Sequence, residues 1–272
     1  MVSSTPLEVL VDLVVGLLTG IYASIFGFGG GFIFVPYFYL GLSMPFQKAI
    51  GTSLASIILA TGSAAATYSF NRRVDFKLGL LLLVAASPMA FLGAWLTRFF
   101  NPSFLRIFFS ILQAYAGLSL FLEMRFERVR KLRFTFPVLW KRVLRDRRGA
   151  SFSYEFNPLL AALGGAGAGF LSGMAGIGGG IVNMPLMCLV LGIPIHVAVA
   201  TSELATLINV SSGSIGHLLA GNIDFARMVT VGLGALLGGQ IGSRISMRVK
   251  PKILRKTLGL VLILLTVKIV LS

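Results

Sequence analysis

Apolar residues run almost unbroken through 9–26, 32–42, 47–69, 76–97 and 103–122, stop across 125–148, and resume at 157–175, 181–193, 197–220, 225–243 and 252–271. A helix needs about 20 apolar residues to cross the hydrocarbon layer, and most of these runs are of that order. The 32–42 run is not: at about 1.5 Å per residue it makes about 16 Å of helix, too little to cross alone. It follows the cluster Gly27, Gly29, Gly30, Gly31, and the second short run follows Gly176, Gly178, Gly179, Gly180. The pattern predicts an all-α polytopic membrane protein with discontinuous helices at the two Gly-rich segments, each short run being a half-helix joined to a broken partner.

The second set of runs repeats the first at an offset of 149, since Gly176 follows Gly27 by that number of positions. Pro185 and Pro194 then fall on Pro36 and Pro45, Ala198 on Ala49, and Thr201-Ser202 on Thr52-Ser53. Asp224-Phe225 falls on Asp75-Phe76, Gly242 on Gly93, Pro251 on Pro102, and Leu254-Arg255 on Leu105-Arg106. One register kept without a gap through such pairs is a duplication. It divides the chain into a first transmembrane repeat, 1–124, a basic connecting loop, 125–156, and a second repeat, 157–272.

Composition agrees with a lipid solvent. Of 272 residues 56% are hydrophobic and 12% charged, with a mean hydropathy of +0.89; a soluble domain carries about 25% charged residues. The net charge of +15 does not point to nucleic acid, because the basic residues sit between apolar runs. It points to cytoplasmic loops rich in Lys and Arg. Residues 125–148 hold ten Lys/Arg against two Asp/Glu, and 244–256 hold six Lys/Arg and no acid. If both are cytoplasmic, an even number of crossings separates them, which requires the short run to count as one. Each repeat then has five crossings, the repeats are inverted, and both chain ends lie outside. The matched loops agree: Arg72, Arg73 and Lys77 correspond to a stretch with only Asp224 and Arg227, whereas Arg98 and Arg106 correspond to the six basic residues of 244–256. The N-terminus carries Glu8 and Asp12 and no basic residue before Lys48, unlike a signal peptide, so the first run is expected to be retained. The 125–148 loop is a candidate contact for anionic lipids, with orientation the plainer role. Trp95 and Trp140 fit interface anchors, and Cys188 is expected to face lipid or core.

Paired Gly-interrupted segments at matching places in two halves are the best sequence pointer to a transporter site. Glycine lets backbone approach a ligand closely, and broken backbone must be buried or line a cavity. A helix beginning after the glycines would aim free N–H groups at an anion. Gly27, Gly29, Gly30, Gly31, Gly176, Gly178, Gly179 and Gly180 are therefore the expected substrate-binding backbone, with close helix packing as the alternative. Leucine at Gly30 or Gly179 is expected to abolish transport. Thr52, Ser53, Thr201, Ser202 and Asn183 join them, the hydroxyls having helix capping or helix–helix bonding as an equal alternative. Ionisable groups inside membrane helices are functional candidates: Glu203, where the first copy has Leu54, is the candidate proton carrier. His217, matching Tyr68, is a second, though its place near a helix end favours the interface. Asn209 and Gln113 are further polar residues within apolar runs. Two histidines and one cysteine, with no HExxH or GxSxG, leave little for a membrane enzyme; no catalytic residue, metal or cofactor is expected.

At these residues the chain resembles the sulfite exporter TauE/SafE family. The shared pattern is G-x-G-G-G, then Pro, then Ala and Thr-Ser on the next helix, in both halves. Here it reads Gly27-Phe28-Gly29-Gly30-Gly31, Pro36, Ala49, Thr52-Ser53, and Gly176-Ile177-Gly178-Gly179-Gly180, Pro185, Ala198, Thr201-Ser202. The resemblance spans essentially the whole chain, with a longer basic insert than compact members have. It implies a permease for sulfur-containing anions such as sulfite, sulfoacetate or other organosulfonates. The expected function is thus a cell-membrane secondary transporter, an exporter of a small sulfur-containing anion, working by alternating access with proton coupling. The alternatives are a passive anion channel or a transporter of another small carboxylate or oxyanion.

Overall fold

The computed structural model describes residues 5–121, 139–247 and 252–271; residues 125–138 and 248–251 of the two basic segments lie outside the described residues. In chain order come α1 (Pro6–Phe26), α2 (Gly31–Pro36), α3 (Phe46–Phe70), α4 (Phe76–Leu96), α5 (Pro102–Phe121), β1 (Trp140–Arg145), β2 (Ser151–Phe156), α6 (Pro158–Ala175), α7 (Gly180–Pro185), α8 (Ile195–Leu219), α9 (Phe225–Ser246) and α10 (Lys252–Leu271). Among the described residues, five helical stretches are long and apolar enough to cross a membrane: Pro6–Phe26, Phe46–Phe70, Phe76–Phe99, Pro158–Ala175 and Phe225–Ser246. At 25 residues α8 equals α3 in length, but Glu203, Asn209 and His217 interrupt its apolar character. The fold is an all-α polytopic membrane fold that carries, among the described residues, one small β-hairpin.

Local chemistry sets the breaks. Thr5 caps α1 and Pro6 opens it, while Gly27 ends it in the left-handed region, φ 73°. Pro36 and Pro185 close α2 and α7, and each is followed by a π turn, Tyr37–Gly41 and Leu186–Val190. Proline removes one rung of the ladder, and the ladder resumes at wider spacing, Leu42 N–H to Tyr37 O at 3.1 Å and Leu191 N–H to Leu186 O at 2.9 Å.

The halves interlock. α1 packs along α9 and α6 along α4, so each repeat lends its first helix to the other's fourth. Glycines permit the closeness: a Cβ at Gly16 or Gly20 would stand 2.0 or 2.4 Å from a carbonyl oxygen of α9, and one at Gly169 or Gly173 would stand 2.2 or 1.9 Å from one of α4. The matching helices α3 and α8 run antiparallel, with Gly51 beside His217 and Gly62 beside Leu207. In α5 and α10, Gln113 Nε2 donates to Leu262 O at 3.3 Å and Gly117 meets Gly259.

The short segments do not carry the chain onward. α2 returns along α1, Gly30 lying beside Thr19 and Ala23 and Tyr37 reaching Asp12. One end of the bundle therefore holds the start of α1, the first π turn and the starts of α3 and α9, joined by the Lys48–Asp224 pair at 3.1 Å. The other end holds the end of α3, the hairpin and the end of α9, where Arg148 Nη1 donates to Met247 O at 3.3 Å. The basic hairpin and the end of α9 thus share one end of the bundle.

The charge run predicts a loop over 125–156, but its described part is the β1–β2 hairpin, paired from Trp140↔Phe156 to Arg145↔Ser151. Alternation turns Arg142, Leu144, Phe152, Tyr154 and Phe156 inward. Trp140 packs on Phe156 within this hairpin, and Trp95 is half-buried beneath Arg98, whose guanidinium carbon lies 4.3 Å from its ring centre.

Candidate substrate site

Two glycine segments cross at the heart of the bundle. Gly27, Gly29 and Gly30 have φ 73°, 85° and 101°, and Gly176, Gly178 and Gly179 have φ 75°, 82° and 81°, a region that side chains with a Cβ avoid. The two segments touch at Gly29 and Gly178, both beside Thr206 near the middle of α8. A Cβ on Gly31 would lie 2.0 Å from Gly176 O, and one on Gly180 2.3 Å from Gly27 O.

The paired hydroxyls lock this crossing. Ser202 Oγ donates to Gly27 O at 2.7 Å, and Ser53 Oγ to Gly176 O at 3.0 Å. Thr52 Oγ1 accepts from Asp224 N–H and Thr201 Oγ1 from Asp75 N–H, both at 3.0 Å. Each residue serves the opposite half at the offset seen in sequence. The structure gathers the expected glycines and hydroxyls into one place and commits the hydroxyls to backbone. Ser53→Ala or Ser202→Ala leaves a buried carbonyl without this donor, an expected cost of about 1–3 kcal/mol, read as a lower thermal midpoint of the detergent-solubilised protein.

What differs between the halves is the polar lining. Seven described buried residues of the second half carry side-chain atoms without a hydrogen-bond partner: Ser214 Oγ and His217 Nδ1, and a further five, Ser172 Oγ, both side-chain atoms of Asn183 and of Asn209, Glu203 Oε1 and Thr206 Oγ1. Ser172 on α6 and Asn209 on α8 flank Gly179, whose Cβ would stand 2.9 Å from Asn209 Nδ2 and 3.3 Å from Ser172 Cβ. Asn183 lies one turn into α7, its N–H bonded to Gly179 O at 2.9 Å. Glu203 precedes Thr206 by three residues, on the same face of α8. Subtracting 149 from the last five gives Ala23, Phe34, Leu54, Ile57 and Ala60, all buried and apolar. Each orphaned buried polar group costs about 1–3 kcal/mol, so folding alone gives no reason to keep five together.

His217 is not interfacial, as its position near a helix end predicted. It is fully buried, with Nε2 3.0 Å from Gly173 O. Tyr68 bonds Ser24 O at 2.7 Å, the same contact 149 positions earlier, so both side chains tie their helix to the first helix of their own half. Cys188 faces the core.

Two clusters escaped the sequence-based selection. Asp12, fully buried in α1, accepts from Tyr37 Oη at 2.6 Å, Thr230 Oγ1 at 2.7 Å and Arg227 Nη1 at 3.0 Å; Arg227 also pairs with Glu8. The signal was present, an aspartate within an apolar run. At the hairpin end, Arg142 Nε and Nη2 grip Asp75 at 2.9 Å each, Tyr154 donates to the same carboxylate, and Arg73 Nη2 meets Asp146 at 2.9 Å. Burial would raise the Asp75 pKa, but hydrogen bonds from Arg142, Tyr154 and Leu78 N–H together hold it below the ordinary aspartate value.

The family model described as sulfite exporter TauE/SafE matches residues 13–269. The chain is 31% identical over 235 residues to the probable membrane transporter protein YunE of Bacillus subtilis (strain 168), covering 84% of this chain and 85% of that one. It is 28% identical to the probable membrane transporter protein YdhB of the same organism, over 83% and 85% of the two chains. To the probable membrane transporter protein MJ0441 of Methanocaldococcus jannaschii it is 27% identical, over 76% and 72%. No solved structure matches the chain.

Proposed function

The chain belongs to the sulfite exporter TauE/SafE family and is a multi-pass membrane transporter; we propose that it exports a small sulfur-containing anion, such as sulfite or an organosulfonate, by proton-coupled alternating access. The observation that carries this is the set of residues with orphaned polar atoms against the glycine crossing, Thr206 beside Gly29 and Gly178 and Asn209 and Ser172 beside Gly179, where the matching positions of the first half are buried and apolar. Amide and hydroxyl donors from Asn183, Asn209, Thr206 and Ser172 suit a desolvated oxyanion. No described Lys or Arg lines the site, so binding stays weak enough for release. Glu203 carries the coupling proton: protonated, it donates beside the anion; ionised, it repels it. The antiparallel α3–α8 and α5–α10 pairs support inverted halves rocking about the crossing, with the basic end in the cytoplasm.

Asn209→Ala gives the second half the alanine that the first half has at position 60. It is expected to leave the thermal midpoint unchanged or raised, since an orphaned amide goes. It should also remove the stabilisation by whichever of sulfite, thiosulfate, sulfoacetate or taurine shifts the wild type; at 100 Kd that stabilisation is about 2.7 kcal/mol. An undiminished ligand shift would remove the crossing as the site. Glu203→Gln keeps size and a donor but cannot release a proton. Uphill flux in proteoliposomes under a pH gradient is expected to fall at least about tenfold; flux at the wild-type rate would exclude Glu203 as carrier.

A further inference from the structure

A cleft of about 540 Å³ opens at the hairpin end of the bundle, between the last turns of α3 and α9. Ser63 and Thr67 line it from α3, Gln240 and Arg244 from α9, and Arg148 from the hairpin. On each helix the polar residues are four apart and so share a face. Arg148 is positioned rather than loose: its Nη1 holds Met247 O at 3.3 Å, its neighbour Arg147 lies 3.6 Å over the Phe70 ring, and Arg147 N–H bonds Asn71 O at 3.2 Å. Neither Arg148 nor Arg244 has a carboxylate partner among the described residues. Ser63 Oγ is buried and has no hydrogen-bond partner. Ala66, Phe70 and Met247 add apolar wall.

The symmetry of the fold shows that this cleft is not a by-product of packing. The place related by the 149 offset has Phe91 and Trp95 for Gln240 and Arg244, and Ser212 and Gly216 for Ser63 and Thr67. There Ser212 Oγ donates to Ser87 O at 2.6 Å, and a Cβ on Gly216 would meet Ala94 Cβ at 2.8 Å and Phe91 O at 3.1 Å. Equivalent helices close against each other at one end and leave a polar, doubly cationic cleft at the other.

We infer that this cleft is a second anion site, separate from the glycine crossing, binding an oxyanion head group between Arg148 and Arg244. Two guanidinium groups without counter-charge, a hydroxyl with no partner and an apolar wall suit a sulfonate or phosphate head carrying an apolar part. The same chemistry is offered by a soluble anion and by an anionic lipid whose head enters from the bilayer.

Full-length protein in neutral detergent is titrated with sodium sulfate, and separately with dioleoylphosphatidylglycerol; sodium chloride at matched ionic strength and dioleoylphosphatidylcholine are the controls. Thermal midpoint is read for the wild type, R148Q/R244Q, R145Q and N209A. At least one probe is expected to stabilise the wild type, R145Q and N209A alike. R148Q/R244Q is expected to need at least about tenfold more of it, having lost its charge-assisted bonds. A shift with sulfate assigns the site to soluble anions, and one with phosphatidylglycerol alone to lipid. No shift with either probe, an equal shift in R148Q/R244Q, or an equal loss in R145Q overturns the inference. A sulfate shift lost only in N209A overturns it too, while supporting the central site; the two readings therefore fail independently.

Discussion

Gly31→Ala is expected to unlock the centre of the protein with a single methyl group. The added Cβ would stand 2.0 Å from Gly176 O and 2.6 Å from Ile177 Cα. Both obstacles are backbone, so no side-chain rotation relieves them, and the two glycine segments must separate. Overpacking of this kind costs about 1–3 kcal/mol, occasionally more, and here the upper end applies because Ser53 is bonded to the same carbonyl. A lower thermal midpoint and loss of flux in proteoliposomes are expected, with Gly180→Ala behaving alike through its 2.3 Å approach to Gly27 O. Gly149→Ala calibrates the effect: its φ is 83° but nothing lies within 4 Å, so only left-handed strain of about 1–2 kcal/mol remains. Wild-type midpoint and flux in Gly31→Ala would mean that the crossing is not close-packed in the membrane.

Asp75→Ala is expected to cost about 3–5 kcal/mol, because it strands a partly buried guanidinium. One carboxylate caps α4 through Lys77 and Leu78 N–H, binds both arms of Arg142 and accepts from Tyr154. Its own N–H meanwhile reaches Thr201 of the other half. Asp224 is its counterpart 149 positions later and also caps a helix, but its side-chain partner is the exposed Lys48; Asp224→Ala is expected to cost only about 1 kcal/mol. The pH dependence has a definite sign. The folded pKa of Asp75 lies below the unfolded value of about 3.9, so its stabilisation is complete above that value and fades as pH falls through the folded pKa. Asp146, which burial would raise but which Arg73 and the Ala150 and Arg148 N–H groups hold low, adds in the same direction. Thermal midpoints from pH 7 to pH 3 should drop more steeply below pH 4 in the wild type than in Asp75→Asn; parallel curves would show that the hairpin is not docked through this carboxylate.

The glycine segments and Thr-Ser pairs were legible in the sequence because only glycine tolerates those backbone angles and approaches, and duplication states the requirement twice. Their roles were less legible. Nothing local indicates that Ser202 reaches Gly27 across 175 positions, so an expected ligand hydroxyl emerges as a lock. The hairpin was hidden by charge: ten basic residues mask the alternation of Arg142 and Leu144, though Phe152, Tyr154 and Phe156 around the turn at Gly149 carried it. Asp12 stood out as an ionisable group in an apolar run, yet its meaning depends on Tyr37, Thr230 and Arg227, which only folding brings to it.

By itself the sequence determined a duplicated membrane protein, its helix breaks and the paired basic segments, because solvent chemistry and backbone sterics act on each stretch of chain separately. The tertiary structure decided how the copies interlock: each first helix lies along the other copy's fourth, and each serine caps the other copy's glycines. It also decided where the copies part company, at one crossing where polar residues of one copy match apolar residues of the other and at one open cationic cleft. Those differences are substitutions scattered through both halves, and their sum exists only where packing places them side by side.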